Sequence, residues 1–266
     1  MSEFLVCAPA YFDVSYEIND WMSLFNKPDT ILAKRQWSYM HDRLIESGAI
    51  LKYMTPHPDF PDMVFTANAG LVKGKKVVLS NFKNEERRGE KNHFKTWFLE
   101  NGYQVIEIPE DIFFEGAGDA LFVNGMLFMG YGSRTDIEAH KIVASALGVD
   151  YLSCELVDPR FYHLDTCFFP YGNGVLYYLD AFSLKSQRDI LVNLISLGIS
   201  SGGITVIPAS EQQASEFICN SVVSNDSIIT PSKRFNKNFL GYNIYSCEMS
   251  EFIKSGGAVK CLTLEL

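Results

Sequence analysis

The feature that most limits what this chain can fold into is a hairpin that recurs at intervals of roughly 50 residues. Four segments carry it: AGLVKGKKVVLSNF from Ala69, DALFVNGMLFMGYG from Asp119, DTCFFPYGNGVLYYL from Asp165 and NSVVSNDSIITPS from Asn220. Each is an apolar run, a turn signal and a second apolar run. Gly or Asn stands where positive φ is needed, most clearly at Asn124-Gly125.

The stretches between the hairpins repeat as well. A helical pattern from Asn84 to Asn101, with Phe94, Trp97 and Phe98 on one side, leads to the strand-like YQVIEIP. Thr135 and Glu138 form a predicted capping box for a helix ending at Gly148, and VDYLSCELV follows. SLKSQRDILVNLISLG leads likewise to ITVIPAS. The unit is therefore strand, strand, helix, strand.

A fifth copy is split between the chain ends. FLVCAPA supplies one strand, residues Asp29 to Ser47 an amphipathic helix through Leu32, Trp37, Met40 and Leu44, and ILKYMTP another strand. The missing opening strand is supplied by AVKCLTLEL at the C-terminus. The reading is an α/β fold, a ring of five ββαβ units closed by the last strand, in which an ordinarily dispensable chain end becomes part of the core.

Composition removes several function classes. With 266 residues, 47% of them apolar, and a net charge of −9, the chain has an ordinary globular make-up and no basic run suited to nucleic acid. No apolar stretch approaches the roughly 18 residues of a membrane span. The six cysteines lack C-x-x-C spacing, and MSEFLVCAPA has no basic leader pattern, so the expected compartment is the reducing cytosol. The five histidines form no metal-ligand motif, and no metal or organic cofactor is expected. Assembly of identical copies is left open.

Polar residues precede each first apolar run: Asn68, Asp119, Asp165 and Asn220, with Lys260-Cys261 at the matching point of the last strand. Any one of them reads as a turn or cap residue, but in a ring all would converge on one channel. His163 and Asp165 are two apart, on one face if the segment is a strand. Five cysteines read as small hydrophobes; Cys261 differs because Gly256-Gly257 precede it and permit close backbone approach to a ligand.

FTAN at Phe65 to Asn68, FEGAGD at Phe114 to Asp119, HLDT at His163 to Thr166 and GGAVKC ending at Cys261 together resemble the guanidino-group-modifying superfamily of arginine deiminases, dimethylarginine dimethylaminohydrolases and amidinotransferases. The resemblance spans nearly the whole chain. It implies a five-bladed α/β propeller with pseudo-fivefold symmetry, one catalytic domain over residues 1–266, and a small guanidino amino acid as substrate. It also implies roles: Cys261 as nucleophile, His163 as general acid and base, and Glu115, Asp165 and Asp119 as guanidinium acceptors beside Phe65. Asp62 matches the residue that binds the substrate α-amino group, and Arg87 and Arg134 match the carboxylate binders. Asn19 falls on a loop over the site. Arg87, Arg134 and Asn19 also read as solvated helix-start charges and a turn residue. FEGAGD carries one residue more than the deiminase pattern, leaving open which of Glu115 and Asp119 faces substrate.

Deiminases and dimethylarginine hydrolases usually have Asp where this chain has Asn68. An amide can hold a neutral ureido group that a carboxylate would repel. The variant resembles the arginine dihydrolase branch, which makes ornithine, carbon dioxide and two ammonia molecules from arginine. The alternatives are a citrulline-forming deiminase or dimethylarginine hydrolase, and a non-catalytic binding module on the same fold.

Overall fold

The computed structural model describes residues 1–235 and 241–266, apart from the Ser201 side chain. Five three-stranded sheets carry the architecture, one for each expected unit. In chain order the strands are β1 (Glu3–Cys7), β2 (Ile50–Met54), β3 (Gly70–Lys73), β4 (Lys76–Leu79), β5 (Gln104–Ile106), β6 (Ala120–Val123), β7 (Met126–Tyr131), β8 (Tyr151–Glu155), β9 (Phe168–Tyr171), β10 (Gly174–Tyr177), β11 (Thr205–Pro208), β12 (Val222–Ser224), β13 (Ser227–Thr230), β14 (Asn243–Ser246) and β15 (Leu264–Glu265). The helices are α1 (Thr30–Glu46), α2 (Glu85–Arg88), α3 (Glu90–Glu100), α4 (Ile137–Leu147), α5 (Leu184–Ser201), α6 (Glu211–Ser215) and α7 (Ser250–Ile253).

Within each sheet the first and second strands are antiparallel and the second and third are parallel, as a hairpin followed by a crossover requires. The hairpin between β6 and β7 turns through Asn124 at φ 46° and Gly125 at φ 85°, the two positive angles its sequence predicts. The split sheet forms as read: β15 pairs antiparallel with β1, Leu5 opposite Leu264, and β1 runs parallel to β2. The chain ends therefore meet in one blade of a five-bladed α/β propeller.

The closing strand is shorter than expected. Only Leu264–Glu265 is extended; residues 258–263 form a tight turn in which Leu262 N donates to Ala258 O and Thr263 N to Lys260 O. Three other hairpins are likewise preceded by a 3-10 turn: Thr66–Ala69, Gly116–Gly118 and Leu164–Thr166. Asp165 thus sits in a turn rather than a strand, and its relation to His163 is not strand alternation.

These turns stitch the blades together near the axis. Ala67 N donates to Cys261 O, Asn68 Nδ2 to Glu115 O, Leu164 N to Asp119 Oδ1, Asn220 Nδ2 to Asp165 O and Lys260 N to Asn220 O. Five links close a circle, so the recurrent polar residue before each hairpin bonds a neighbouring blade. The ring is held by these bonds, by isolated antiparallel bridges at Asn81–Phe114 and Leu156–Phe182, and by side-chain packing; among the described residues the named strands of one sheet do not pair with those of the next.

Two helical expectations change. The helix read over Asn84 to Asn101 is α2 and α3, divided at Gly89, where an added Cβ would lie 2.3 Å from Cζ of Phe60. No Thr135 capping box forms; Asp136 is the N-cap of α4, and Thr135 Oγ1 donates to Asp119 Oδ2 at 2.6 Å instead. Asp29 caps α1 by accepting from Ile31 N and Leu32 N. The fourth hairpin, β12 to β13, has no helix among the described residues before β14.

Aromatic side chains fill the space between sheets and helices, with Phe128 stacked on Phe168 in one cluster, Phe94 and Phe98 in a second, and Phe12 stacked on Phe252 in a third. All six cysteines are free and buried. No helix among the described residues is long and apolar enough to cross a membrane.

Candidate active site

The turns that join the blades also carry the candidate site residues. Cys261 is 2% exposed, and its Sγ–H donates to Asp165 Oδ2 at 3.3 Å while accepting from Asn220 Nδ2 at 3.0 Å. Asn220 Oδ1 in turn accepts from Cys261 N and Ala258 N. One amide thus fixes both the sulfur and its backbone. The sequence marked Asn220 as a blade-start residue but not as a site residue.

Burial pushes the Cys261 thiol well above the usual thiol range, and the Asp165 carboxylate pushes the same way; the Asn220 amide opposes them. Burial and Asp165 both favour the thiol over the thiolate. Burial also raises Asp165, against the opposing influence of His163 and Lys260. Its Oδ1 is buried without a hydrogen-bond partner. A cationic N–H donor arriving there would satisfy that oxygen and favour loss of the thiol proton.

His163 Nε2 lies 2.8 Å from Glu115 Oε2 and 3.9 Å from Asp119 Oδ2, all three residues being buried. Burial alone would raise Glu115, but the Arg134 guanidinium, the His163 contact and Arg87 outweigh it and hold the carboxyl well below the usual range. Asp119 is pushed up to about 6 by burial, although His163, Thr135 Oγ1 and Leu164 N act against that. The two acids are therefore unlike. Glu115 is the charged partner of the imidazole, and Asp119 is occupied with the turn of the next blade.

Arg87 and Arg134 are not solvated charges; they are 3% and 4% exposed. Arg87 grips Glu90 with two bonds of 2.9 Å and sends Nη1 to Asn68 Oδ1 at 2.9 Å and Nη2 to Asp62 O. Arg134 bonds Glu115 Oε2 and Ile18 O and lies over the Tyr162 ring. Asp62 accepts from Tyr16 Oη and Ser255 Oγ, and burial raises it. Glu90, Tyr16, Tyr162 and Ser255 were not picked out by sequence; Glu90 stands three residues after Arg87, the spacing that pairs side chains along a helix, and that spacing is the signal that could have found it.

Asn68, Asp62, Phe65, Arg87, Arg134 and Cys261 share one cavity, with Ile18, Asn19 and Met22 over it. His163, Glu115, Asp119 and Asp165 do not line it, though Glu115 bonds Arg134 and Asp165 bonds Cys261, both of which do. The free space is about 10 Å³, room for roughly one water. Asn19 holds the cover down: Nδ2 donates to Ser255 O, and Oδ1 accepts from Trp21 N and Met22 N. A wider cavity of about 770 Å³ lies at the hairpin turns and shares none of the other candidate residues.

The paired glycines are explained by crowding. An added Cβ on Gly257 would lie 2.5 Å from the Phe65 ring and 3.1 Å from Cys261 Cβ, and Gly256 has φ 83° with Tyr162 Oη 2.7 Å from its added Cβ. Gly257→Ala is expected to cost about 1–3 kcal/mol of stability, read as a lower urea midpoint at unchanged slope. An unchanged midpoint would mean that Phe65 has room the structure does not show.

A family model described as N,N dimethylarginine dimethylhydrolase, eukaryotic, matches residues 30–266. ArgZ, the bifunctional arginine dihydrolase/ornithine cyclodeaminase of Synechocystis sp., is 43% identical over 98% of this chain, which spans 37% of ArgZ. The N(G),N(G)-dimethylarginine dimethylaminohydrolase of Mycobacterium tuberculosis is 34% identical over 97% of the chain and 83% of its own length. The crystal structure of the N-terminal domain of ArgZ bound to substrate superposes with a TM-score of 0.92 at 42% identity, covering all of this chain and 98% of that domain.

Proposed function

From the premise that this chain belongs to the N,N dimethylarginine dimethylhydrolase family, we propose that it is a guanidino C–N hydrolase, an arginine dihydrolase that converts L-arginine and two waters to L-ornithine, carbon dioxide and two ammonia molecules. The observation that carries this reading is Asn68, an uncharged amide in the cavity beside Cys261, in a chain 43% identical to an arginine dihydrolase. Residues 1–266 act as one catalytic unit. A reducing compartment such as the cytosol suits a thiol nucleophile.

The contacts support the following roles. Displacement of the 18–22 segment admits the substrate. Its guanidinium is held by Asp165, whose open Oδ1 awaits an N–H donor, and by Glu115. Arg134 and Arg87 face its carboxylate end and Asp62 its amine. Binding of the cation favours the thiolate, and the thiol proton passes to Asp165 Oδ2, the acceptor it already faces at 3.3 Å. Cys261 Sγ then bonds to the guanidinium carbon, ammonia leaves with a proton delivered by His163, and water, giving a proton back to His163, breaks the C–S bond of the thiouronium intermediate so that the sulfur regains its proton from Asp165.

A second round acts on the ureido carbon. The sulfur adds, the second ammonia departs, and water releases a carbamate that loses carbon dioxide to leave ornithine. Asn68 makes this round possible because its N–H can face the neutral ureido oxygen. Incubation with L-arginine is expected to yield one ornithine and two ammonia per arginine, by amino-acid analysis and ammonia assay. Citrulline as the stable end product would overturn the proposal. The family description favours dimethylarginine as the second reading; dimethylamine release from that substrate at a kcat/KM above the arginine value would establish it.

A thiol that is protonated at rest sets a pH expectation as well. Alkylation of the free protein at Cys261 by iodoacetamide is expected to be slow near neutrality and to rise only above the usual thiol range, because burial and Asp165 disfavour the anion. Fast labelling at neutral pH, found by mass spectrometry of the Cys261 peptide, would mean that the sulfur is ionised before substrate binds.

A further inference from the structure

Helix α5 runs for 18 residues, about 27 Å, with two unlike faces. Ile190 and Leu194 are fully buried against the propeller. The outer face carries Leu184, Leu191, Val192, Ile195 and Ile199, exposed at 82%, 37%, 59%, 62% and 82%. Helical periodicity places these five on one stripe roughly 100° wide. Single exposed apolar residues need no explanation, whereas a continuous aliphatic stripe along a surface helix marks a contact surface.

We infer that the outer face of α5 pairs antiparallel with α5 of a second copy of this chain. The spacing of the stripe is symmetric about the midpoint between Leu191 and Val192. An antiparallel copy therefore sets Leu184 against Ile199 of the second copy, and Leu191 against Val192 of the second copy. Ile195 meets the aliphatic stem of Arg188 of the second copy, whose charged head extends to the rim. Each apolar side chain gains a partner under a single twofold axis, the property an isologous interface needs.

Charge and area favour this occupant. Lys185 and Asp189 pair with each other at 2.7 Å on the flank, so the facing copies bring no unmatched like charges together there. A net charge of −9 disfavours an anionic bilayer as the alternative covering. Two such stripes laid together remove on the order of 1,000 Å² of mostly apolar surface, which reaches the lower bound of a specific interface.

The test is sedimentation velocity with light scattering across the micromolar range. The wild type is expected to be dimeric, and Val192→Glu and Ile195→Glu to be monomers that retain the far-ultraviolet circular dichroism spectrum of the wild type. All native thiols are buried, so Val192→Cys offers the one exposed thiol and should form a covalent dimer under mild oxidation, while Leu32→Cys on α1 should not. A monomeric wild type overturns the inference. So does a dimer that both glutamate variants leave intact, or a monomer that floats with phosphatidylcholine vesicles through α5.

Discussion

Cys261→Ser is expected to lower arginine turnover by about 10⁴-fold or more while leaving the fold and substrate binding in place. Serine preserves the local contacts: its hydroxyl can donate to Asp165 Oδ2 and accept from Asn220 Nδ2, as the thiol does at 3.3 and 3.0 Å. What it lacks is an accessible anion. The thiol is already raised by burial and by Asp165, so the arriving cation has to favour ionisation against both. An alcohol starts several pK units higher still, beyond the reach of one neighbouring charge.

The measurements are kcat by ornithine release and Kd by calorimetry. A collapsed kcat with a Kd within a few-fold of the wild-type value supports the assignment. Residual turnover within about tenfold of wild type would remove Cys261 from the chemistry and leave direct water attack assisted by His163. Loss of binding together with turnover would show that the sulfur holds substrate rather than attacks it.

The architecture was legible because hairpin signals are local and repeated. Asn124-Gly125 specifies its turn unaided, and the need for a fifth opening strand assigned AVKCLTLEL to the first blade, of which Leu264–Glu265 pairs with β1. Convergence of Asn68, Asp119, Asp165, Asn220 and Cys261 was readable from the repeat alone. Their bonding was not. The 3-10 turns before the hairpins have no periodic signature of their own and are set by bonds to the next blade, such as Asn68 Nδ2 to Glu115 O. Thr135 looked like a cap because sequence shows only its neighbours along the chain; Asp119, sixteen residues earlier, outcompetes the α4 terminus for its hydroxyl. Arg87 was read as a substrate ligand or a solvated helix-start charge; helical spacing offered Glu90 as its partner, but only burial of the pair shows the Glu90 clamp that already holds it.

The clamp bears on the second large effect, which concerns the product rather than the rate. Asn68→Asp is expected to stop the reaction at citrulline, reducing ornithine formed per arginine by about 10²-fold or more. Arg87 Nη1 already bonds Asn68 Oδ1, so a carboxylate oxygen at that point is welcome and the variant should fold. The other half of the side chain is the problem. Nδ2 donates to Glu115 O at 3.1 Å and is the amide donor that can swing to a ureido oxygen; a carboxylate can do neither and repels both carbonyls. The first round, on a cation, gains a favourable charge, while the second, on a neutral citrulline, loses its donor. Ammonia should therefore fall from two equivalents to one as citrulline accumulates. Asn68→Ala separates the causes: it removes the donor without adding charge, so citrulline from both variants assigns the switch to the missing N–H, and citrulline from the aspartate alone assigns it to repulsion. Two equivalents of ammonia and undiminished ornithine from Asn68→Asp would place the control of the second round on another residue.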